Sequence, residues 1–309
     1  MMRRVWLALV LALIPASASA WSRSGHMVSG AIAYEEINAR DPKVLAQILE
    51  IMARHPERAP FEVAVGRESG GERTRRLFME MARWPDDIRG GSYDHPTWHY
   101  AGRALSDAKQ PPMQPRRPEV AGAAREAFAL SIVVVADPAA PASERAVGLC
   151  WLFHLVGDIH QPLHAVDQVS SALPEGDRGG GLQFLLDPRT RQPVTLHLFW
   201  DDAIRASAEP AAASEQARLL RAKYPRSSFA ELSSKPDAAR DFATWALESF
   251  ELARTVAYGP DLKTSASENA APLPADRYVS NVATTSERRI ALAGYRLADL
   301  MIELLSPRN

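Results

Sequence analysis

Two histidine–aspartate pairs with the same spacing point to a metal-binding site. His154 and Asp158 are four residues apart, and so are His197 and Asp201. On a helix, residues at i and i+4 lie on one face about 5–6 Å apart, so both members of a pair can bind one cation. A single pair is more often a surface hydrogen bond. Two pairs with apolar neighbours predict a metal site, because a buried ionised carboxylate is costly unless it is paired or metal-bound.

Further candidate ligands surround these pairs in the sequence. The only cysteine, Cys150, excludes an intrachain disulfide framework and a Cys-rich zinc finger, so ligands must come from His, Asp and Glu. His164 follows Pro162, which should end or bend the preceding helix. Three upstream segments add Trp21…His26, Trp84-Pro85-Asp86-Asp87-Ile88-Arg89 and Trp98-His99-Tyr100. Each segment also has an ordinary structural interpretation; for Arg89 it is a surface ion pair with Asp87.

Composition restricts the class of protein. The chain has 309 residues, of which 46% are hydrophobic and 24% charged, values typical of globular proteins. They exclude a disordered tail, a collagen-like fibre and a multispan membrane protein. Lys and Arg number 36 against 37 Asp and Glu. A nucleic-acid partner would therefore have to be held by something other than a bulk excess of basic residues.

The first twenty residues are predicted to be a secretory signal peptide. Arg3 and Arg4 precede the apolar run 5–14, and the segment ends in small residues at Ala20. The run is too short to span a bilayer, although an N-terminal anchor helix is the alternative. Cleavage between Ala20 and Trp21 would leave the domain 21–309, secreted or periplasmic. Losing two arginines would change its net charge from −1 to −3. No other stretch approaches about 18 apolar residues, so we expect no membrane insertion.

Helical periodicity dominates the remaining chain and predicts a mainly α, single domain of packed helices. Short strand-like alternation occurs only at Leu182–Leu186 and Val194–Leu198, and the segments 54–71, 104–118, 167–181 and 265–273 are predicted to be loops. An acidic residue followed by proline, Asp41-Pro42, marks one helix start. The predicted helices are Gly25–Ile37, Val44–Met52, Glu72–Trp84, Glu119–Val135, Ser143–Asp158, Pro236–Tyr258 and Pro274–Leu305.

The order and spacing of these motifs resemble a known enzyme family. The segments from Trp21 to Asp201, above all 154–164 with its sequence His-Leu-Val-Gly-Asp-Ile-His-Gln-Pro-Leu-His, resemble the S1/P1 nucleases. These are single-strand-specific nucleases with three zinc ions, distantly similar to bacterial zinc phospholipases C. The resemblance covers nearly all of the chain after residue 20. It implies the helical fold shared by phospholipase C and P1 nuclease.

The resemblance also implies three zinc sites. The third site would require signal cleavage, because it uses the α-amino nitrogen and carbonyl oxygen of Trp21. All ligands are nitrogen or oxygen donors, which suits zinc in sites left open to water. The implied ligands are Asp86, His99, His154 and Asp158 for the first zinc, His164, His197 and Asp201 for the second, and Trp21 and His26 for the third, with Asp158 bridging the first and third.

The implied reaction is phosphodiester hydrolysis of single-stranded DNA and RNA to 5′-phosphorylated products, with 3′-nucleotides also losing phosphate. In this family-based expectation a zinc-bound hydroxide attacks phosphorus in line. Arg89 would clamp the phosphate, and Asp86 would orient the attacking water. Tyr100 would stack on an unpaired base. Three Zn²⁺ would add six local positive charges, which removes the need for a basic surface.

Two positions depart from the family pattern, and two other functions remain open. Gly102 stands where the family has an acidic residue that reads the base, and Gly181 where it usually has Asn, so base preference is left open. A zinc phospholipase C would tend to have Glu at the position of Asp201. A non-catalytic periplasmic zinc-binding protein is the third interpretation. No obligate protein partner is evident. His55, His95 and His160 are predicted to be structural or surface residues, and Cys150 a buried small apolar one.

Overall fold

The computed structural model describes residues 21–106, 122–204, 207–232 and 240–306. The predicted signal peptide lies outside the described residues, as do residues 119–121 and 236–239 of two predicted helices. Among the described residues, no helix combines the length and apolar character needed to cross a membrane.

The described ranges contain ten α-helices and four short strands, so the prediction of a mainly α domain is confirmed. Strand β1 (Arg103–Ser106) pairs in parallel with β2 (Val166–Val169), and β3 (Phe184–Leu186) pairs antiparallel with β4 (Pro193–Thr195). A π-helical turn, Ala253–Ala257, extends the ninth helix. The helices are α1 (Arg23–Arg40), α2 (Pro42–Met52), α3 (Arg58–Val65), α4 (Gly70–Asp87), α5 (Ala124–Ala136), α6 (Ala142–Ile159), α7 (Leu196–Asp201), α8 (Pro210–Lys223), α9 (Phe242–Leu252) and α10 (Asp276–Leu305).

Helix α1 lies between α4 and α10, and glycines allow the close approach on both sides. A Cβ atom on Gly30 would lie 2.5 Å from the carbonyl oxygen of Phe78 in α4. A Cβ atom on Gly294 of α10 would lie 2.6 Å from the side chain of Ile32. Helix α6 packs against α4 and α5 and is apolar on nearly all sides, as expected for a buried helix. These contacts fix the helices that bear the candidate ligands.

Local sequence signals explain where the ligand-bearing elements begin and end. The Asp41 side chain accepts hydrogen bonds from the backbone of Lys43 and Val44, which confirms the predicted start of α2. Helix α6 ends at Ile159, and Pro162 begins a 3₁₀ turn, Pro162–Ala165. Asp158 therefore lies in the last turn of α6, and His164 lies on the 3₁₀ turn that follows.

The structure corrects several predicted boundaries. The predicted strand Val194–Leu198 is wrong in its second half, because Thr195 caps a helix and accepts a hydrogen bond from Leu198 N at 3.1 Å. The predicted loop 54–71 contains α3, and the alanine-rich helix α8 was not predicted. Strands β1 and β2 fall in predicted loops. These two strands pair with each other although they lie about 60 residues apart in the sequence, as Arg103 does with Val166. No local sequence pattern therefore predicts them.

His55 confirms the prediction of a structural histidine. Its side chain is buried edge-on against the rings of Phe61 and Trp84, and its Nδ1 accepts a hydrogen bond from Glu57 N. Burial lowers the pKa of this imidazole to about 4, from about 6.5 in an unfolded chain.

We expect the free energy of unfolding to fall as the pH drops from 6.5 towards 4, because the unfolded state then binds a proton at His55 that the folded state does not. His55→Gln should flatten this dependence. Urea unfolding of both proteins at a series of pH values would test it. Between pH 7 and 8 the imidazole is neutral in both states, so the two profiles should run parallel there. Parallel profiles at pH 5 as well would contradict the expectation.

Candidate metal centre

Eight candidate ligand side chains come together at one end of α1, α4, α6 and α7. Seven of the eight residues are 0–1% exposed, and the side chain of the eighth, Asp86, is 3% exposed. Three groups among the described residues have donor atoms close enough for a shared ion: His26 with His154 and Asp158, Asp86 with His99 and His154, and His164 with His197 and Asp201. The first two groups share His154, so we treat them as one cluster. The five-residue cluster consists of His26, Asp86, His99, His154 and Asp158, and the three-residue cluster of His164, His197 and Asp201.

Asp158 is the junction of the five-residue cluster. Its Oδ1 lies 3.2 Å from His26 Nε2. Its Oδ2 lies 3.1 Å from His99 Nδ1 and 3.2 Å from His154 Nε2. Asp86 follows the same pattern at longer range, with Oδ2 3.9 Å from His26 Nε2 and Oδ1 3.9 Å from His99 Nδ1. The two oxygens of one carboxylate therefore face two separate sets of nitrogen donors.

The three-residue cluster has the donor chemistry of a cation site. His197 Nε2 lies 3.5 Å from Asp201 Oδ2, and His164 Nε2 lies 4.0 Å from Asp201 Oδ1. The two Nε2 atoms and Asp201 Oδ2 are buried and have no hydrogen-bond partner among the described residues. Leaving such atoms unpaired costs about 1–3 kcal/mol each. A bound cation would satisfy all three at once.

Backbone carbonyls orient three of the histidine rings. In each of these rings the Nδ1–H group donates to a carbonyl oxygen. The bonds run from His154 to Ala82 O at 2.8 Å, from His164 to His99 O at 2.7 Å, and from His197 to Gly179 O at 2.8 Å. A carbonyl can only accept, so each Nδ1 carries a proton, and in the neutral imidazole each Nε2 has the lone pair that can bind a metal. The bond from His164 to His99 O also joins the two clusters.

In the five-residue cluster, the pKa shifts of the three imidazoles differ in direction. Burial opposes protonation of His154, but the Asp158 and Asp86 carboxylates raise its pKa. Burial lowers the pKa of His26 and of His99. Burial works against ionisation of Asp158, but the facing His154 and the hydrogen bonds to its carboxylate keep its pKa well below the usual range. In the three-residue cluster, burial lowers the pKa of His164 to about 3 and raises that of Asp201 well above its usual range. An ionised Asp201 therefore needs a cation beside it.

Trp21 lies between the elements that carry Asp158 and Asp201. Its buried indole Nε1–H donates to Gly157 O at 2.9 Å. The next residue, Ser22, donates its backbone N–H to Asp201 O at 2.9 Å. Trp21 and Ser22 are thus hydrogen-bonded to the ends of α6 and α7, next to candidate ligands of both clusters.

Comparison with known proteins identifies the family. The family model described as S1/P1 Nuclease matches residues 21–306. The chain belongs to the S1/P1 nuclease family. A search of curated proteins gave no match. S1/P1 nucleases are zinc-dependent hydrolases of phosphodiester bonds, and the helical fold described above is typical of them.

Arg89 and Tyr100 lie beside the clusters of this S1/P1 nuclease. Arg89 Nη2 donates to Asp86 Oδ1 at 2.6 Å, and its side chain is 24% exposed. Asp87, the partner expected in the alternative interpretation, pairs with Arg83 at 2.7 Å. The Tyr100 ring lies 4.8 Å from the ring of His164 and 6.0 Å from that of His197, measured between centroids. Arg89 thus reaches from the five-residue cluster towards solvent, and Tyr100 covers the three-residue cluster.

Sequence reasoning assigned no role to Gln161, whose fully buried amide donates from Nε2 to Asp201 Oδ1 at 2.8 Å. Its only sequence signal is its place before Pro162, and nothing there indicates a partner 40 residues away. His160 is structural, as predicted: its Nδ1–H donates to Val156 O, and its Nε2 accepts from Arg296 Nη1 at 2.9 Å. His55, His95 and His160 belong to none of the ligand groups found among the described residues.

Proposed function

We propose that this S1/P1 nuclease binds three zinc ions and hydrolyses single-stranded DNA and RNA to 5′-phosphorylated products, with 3′-nucleotidase activity as well. The observation that carries the proposal is the pair of adjacent buried clusters joined by the hydrogen bond from His164 to His99 O. Phosphoryl transfer by several metal ions requires sites close enough to act on one phosphate. The hydrogen bond between the two clusters supports such closeness.

The ligand assignment is the one that the family resemblance implies, and the contacts of Asp158 support it. The first zinc would be held by Asp86, His99, His154 and Asp158, and the second by the three-residue cluster. The third would be held by His26, by Asp158 and by the terminal amine and carbonyl oxygen of Trp21. The two oxygens of the Asp158 carboxylate contact different histidines, His26 and His99, which supports its role as the bridging ligand. Bound zinc would supply Lewis acidity, which makes a water molecule nucleophilic near neutral pH and offsets negative charge on the phosphate.

Arg89, Asp86 and Tyr100 would position the substrate and the water. The Arg89 guanidinium is held by Asp86 and remains partly exposed, so it can present its fork to a phosphate oxygen. Asp86 would orient the attacking water. Tyr100 would stack on a base, which contributes about 1–3 kcal/mol and requires an unpaired base. Single strands are therefore the expected substrate.

Digestion assays with the zinc-loaded protein would test this function. We expect faster cleavage of single-stranded than of duplex DNA, 5′-phosphate ends, and release of inorganic phosphate from 3′-mononucleotides. Arg89→Ala should lower kcat/KM about 100-fold with zinc content retained, since it removes a charged donor aimed at the transition state. Arg83→Ala is the matched control, because Arg83 pairs with Asp87 outside the clusters.

The same assays separate the alternatives. Hydrolysis of phosphatidylcholine without cleavage of single-stranded DNA would identify a phospholipase instead. A zinc-loaded protein that hydrolyses neither substrate would identify a zinc-binding protein without turnover.

We further propose that a signal peptide is removed between Ala20 and Trp21, so that the secreted or periplasmic protein starts with the metal-ligating amine. One additional alanine before Trp21 should then lower both zinc content and turnover, because an amide nitrogen is a much poorer ligand than an amine. An additional alanine after Asn309 serves as the control. Metal analysis and turnover unchanged by the N-terminal extension would refute the amine ligand.

A further inference from the structure

Gln161 lies on the short turn that connects the two clusters. The turn follows Asp158 at the end of α6 and precedes His164 on the 3₁₀ turn. Both ends of the buried amide are used: Oε1 accepts from Leu163 N, and Nε2 donates to Asp201 Oδ1 at 2.8 Å. The first bond shapes the turn itself. The second reaches across to the end of α7.

The bond from Gln161 makes the two oxygens of Asp201 unequal. Oδ1 is occupied by the amide, whereas Oδ2 is buried, lies 3.5 Å from His197 Nε2 and has no hydrogen-bond partner among the described residues. A donor on one oxygen fixes the plane of a carboxylate and leaves the other oxygen as the available ligand atom. Oδ2 therefore faces His197 without another bond, whereas Oδ1, 4.0 Å from His164 Nε2, is already bonded to the amide.

The turn that carries Gln161 is fixed independently of the clusters. Arg289 Nε donates to His160 O at 3.2 Å, and Ser249 donates its hydroxyl to Ile159 O. Arg296 donates to His160 Nε2. Glu248 pairs with both arginines, which are 2% and 4% exposed. Buried side-chain networks with satisfied hydrogen bonds are rigid, so α9 and α10 hold the backbone of the turn from which the Gln161 side chain extends.

We propose that Gln161 is a positioning residue that presents Asp201 to zinc through a single oxygen, so that zinc affinity at the three-residue cluster depends on its amide N–H. This inference rests on the proposed function, since it takes the three-residue cluster to be a zinc site. Outer hydrogen-bond partners of metal ligands typically contribute 10–100-fold to metal affinity.

Chelator competition with metal analysis would test the proposal. Gln161→Met keeps the side-chain length but removes the donor, and we expect it to weaken binding of one zinc equivalent about 10–100-fold and to leave the other two unchanged. Asp201→Asn should lose the same equivalent, and the double variant should lose nothing further, because Gln161 acts through Asp201. Gln161→Asn, whose shorter amide cannot span the same distance, provides a second variant if Gln161→Met does not fold.

Ser249→Ala is the matched control. It removes a hydrogen bond to the same turn without touching Asp201, so it should retain all three zinc ions at wild-type affinity. Equal zinc loss in Ser249→Ala and Gln161→Met would show a general loosening and overturn the proposal. So would wild-type zinc affinity in Gln161→Met, or an additive loss in the double variant.

The outcomes also separate this inference from the proposed function. If Asp201→Asn loses a zinc equivalent while Gln161→Met does not, the zinc site stands and only the role of Gln161 fails. If Asp201→Asn keeps the wild-type zinc content, the three-residue cluster is not a zinc site, and both proposals fail.

Discussion

The burial of the Asp158 carboxylate among three imidazoles is the constraint on which this molecule depends. A carboxylate removed from water is costly unless charge and hydrogen bonds compensate it. Here the compensation comes from His26 on one oxygen and from His99 and His154 on the other. In the neighbouring three-residue cluster, two histidine Nε2 atoms and Asp201 Oδ2 are buried with no hydrogen-bond partner among the described residues, which also costs free energy. Cations bound at both clusters would satisfy these groups and would couple metal binding to the stability of this end of the fold.

The helical scaffold makes that arrangement rigid. Glycines at positions 30 and 294 bring α1 into close contact with α4 and α10, and α6 is buried along nearly its whole length. Carbonyls of Ala82, His99 and Gly179 set the tautomers of three ligand histidines. Candidate ligands from distant parts of the chain are thus positioned by packing and by backbone hydrogen bonds.

Local periodicity was sufficient to predict most helices, including the one that carries His154 and Asp158. Spacing alone indicated the second pair, His197 and Asp201, because part of its helix was predicted to be a strand. It could not predict β1, β2 or the start of α7, because long-range pairing and the Thr195 cap decide those. That His26 and His99 meet Asp158 depends on tertiary packing, and the expectation came from the family resemblance. The hydrogen bond from Gln161 to Asp201 joins residues 40 positions apart, so no sequence pattern could indicate it.

Zinc content per chain of Asp158→Asn tests the central claim most directly. Asparagine keeps the shape of the side chain but removes the charge that both sides of the five-residue cluster share. We predict that this variant loses more than one zinc ion after exhaustive dialysis. Asp87→Asn, which changes a carboxylate paired with Arg23 and Arg83, should retain the wild-type content. Loss of a single zinc ion, or of none, from Asp158→Asn would contradict the claim that one carboxylate serves two metals.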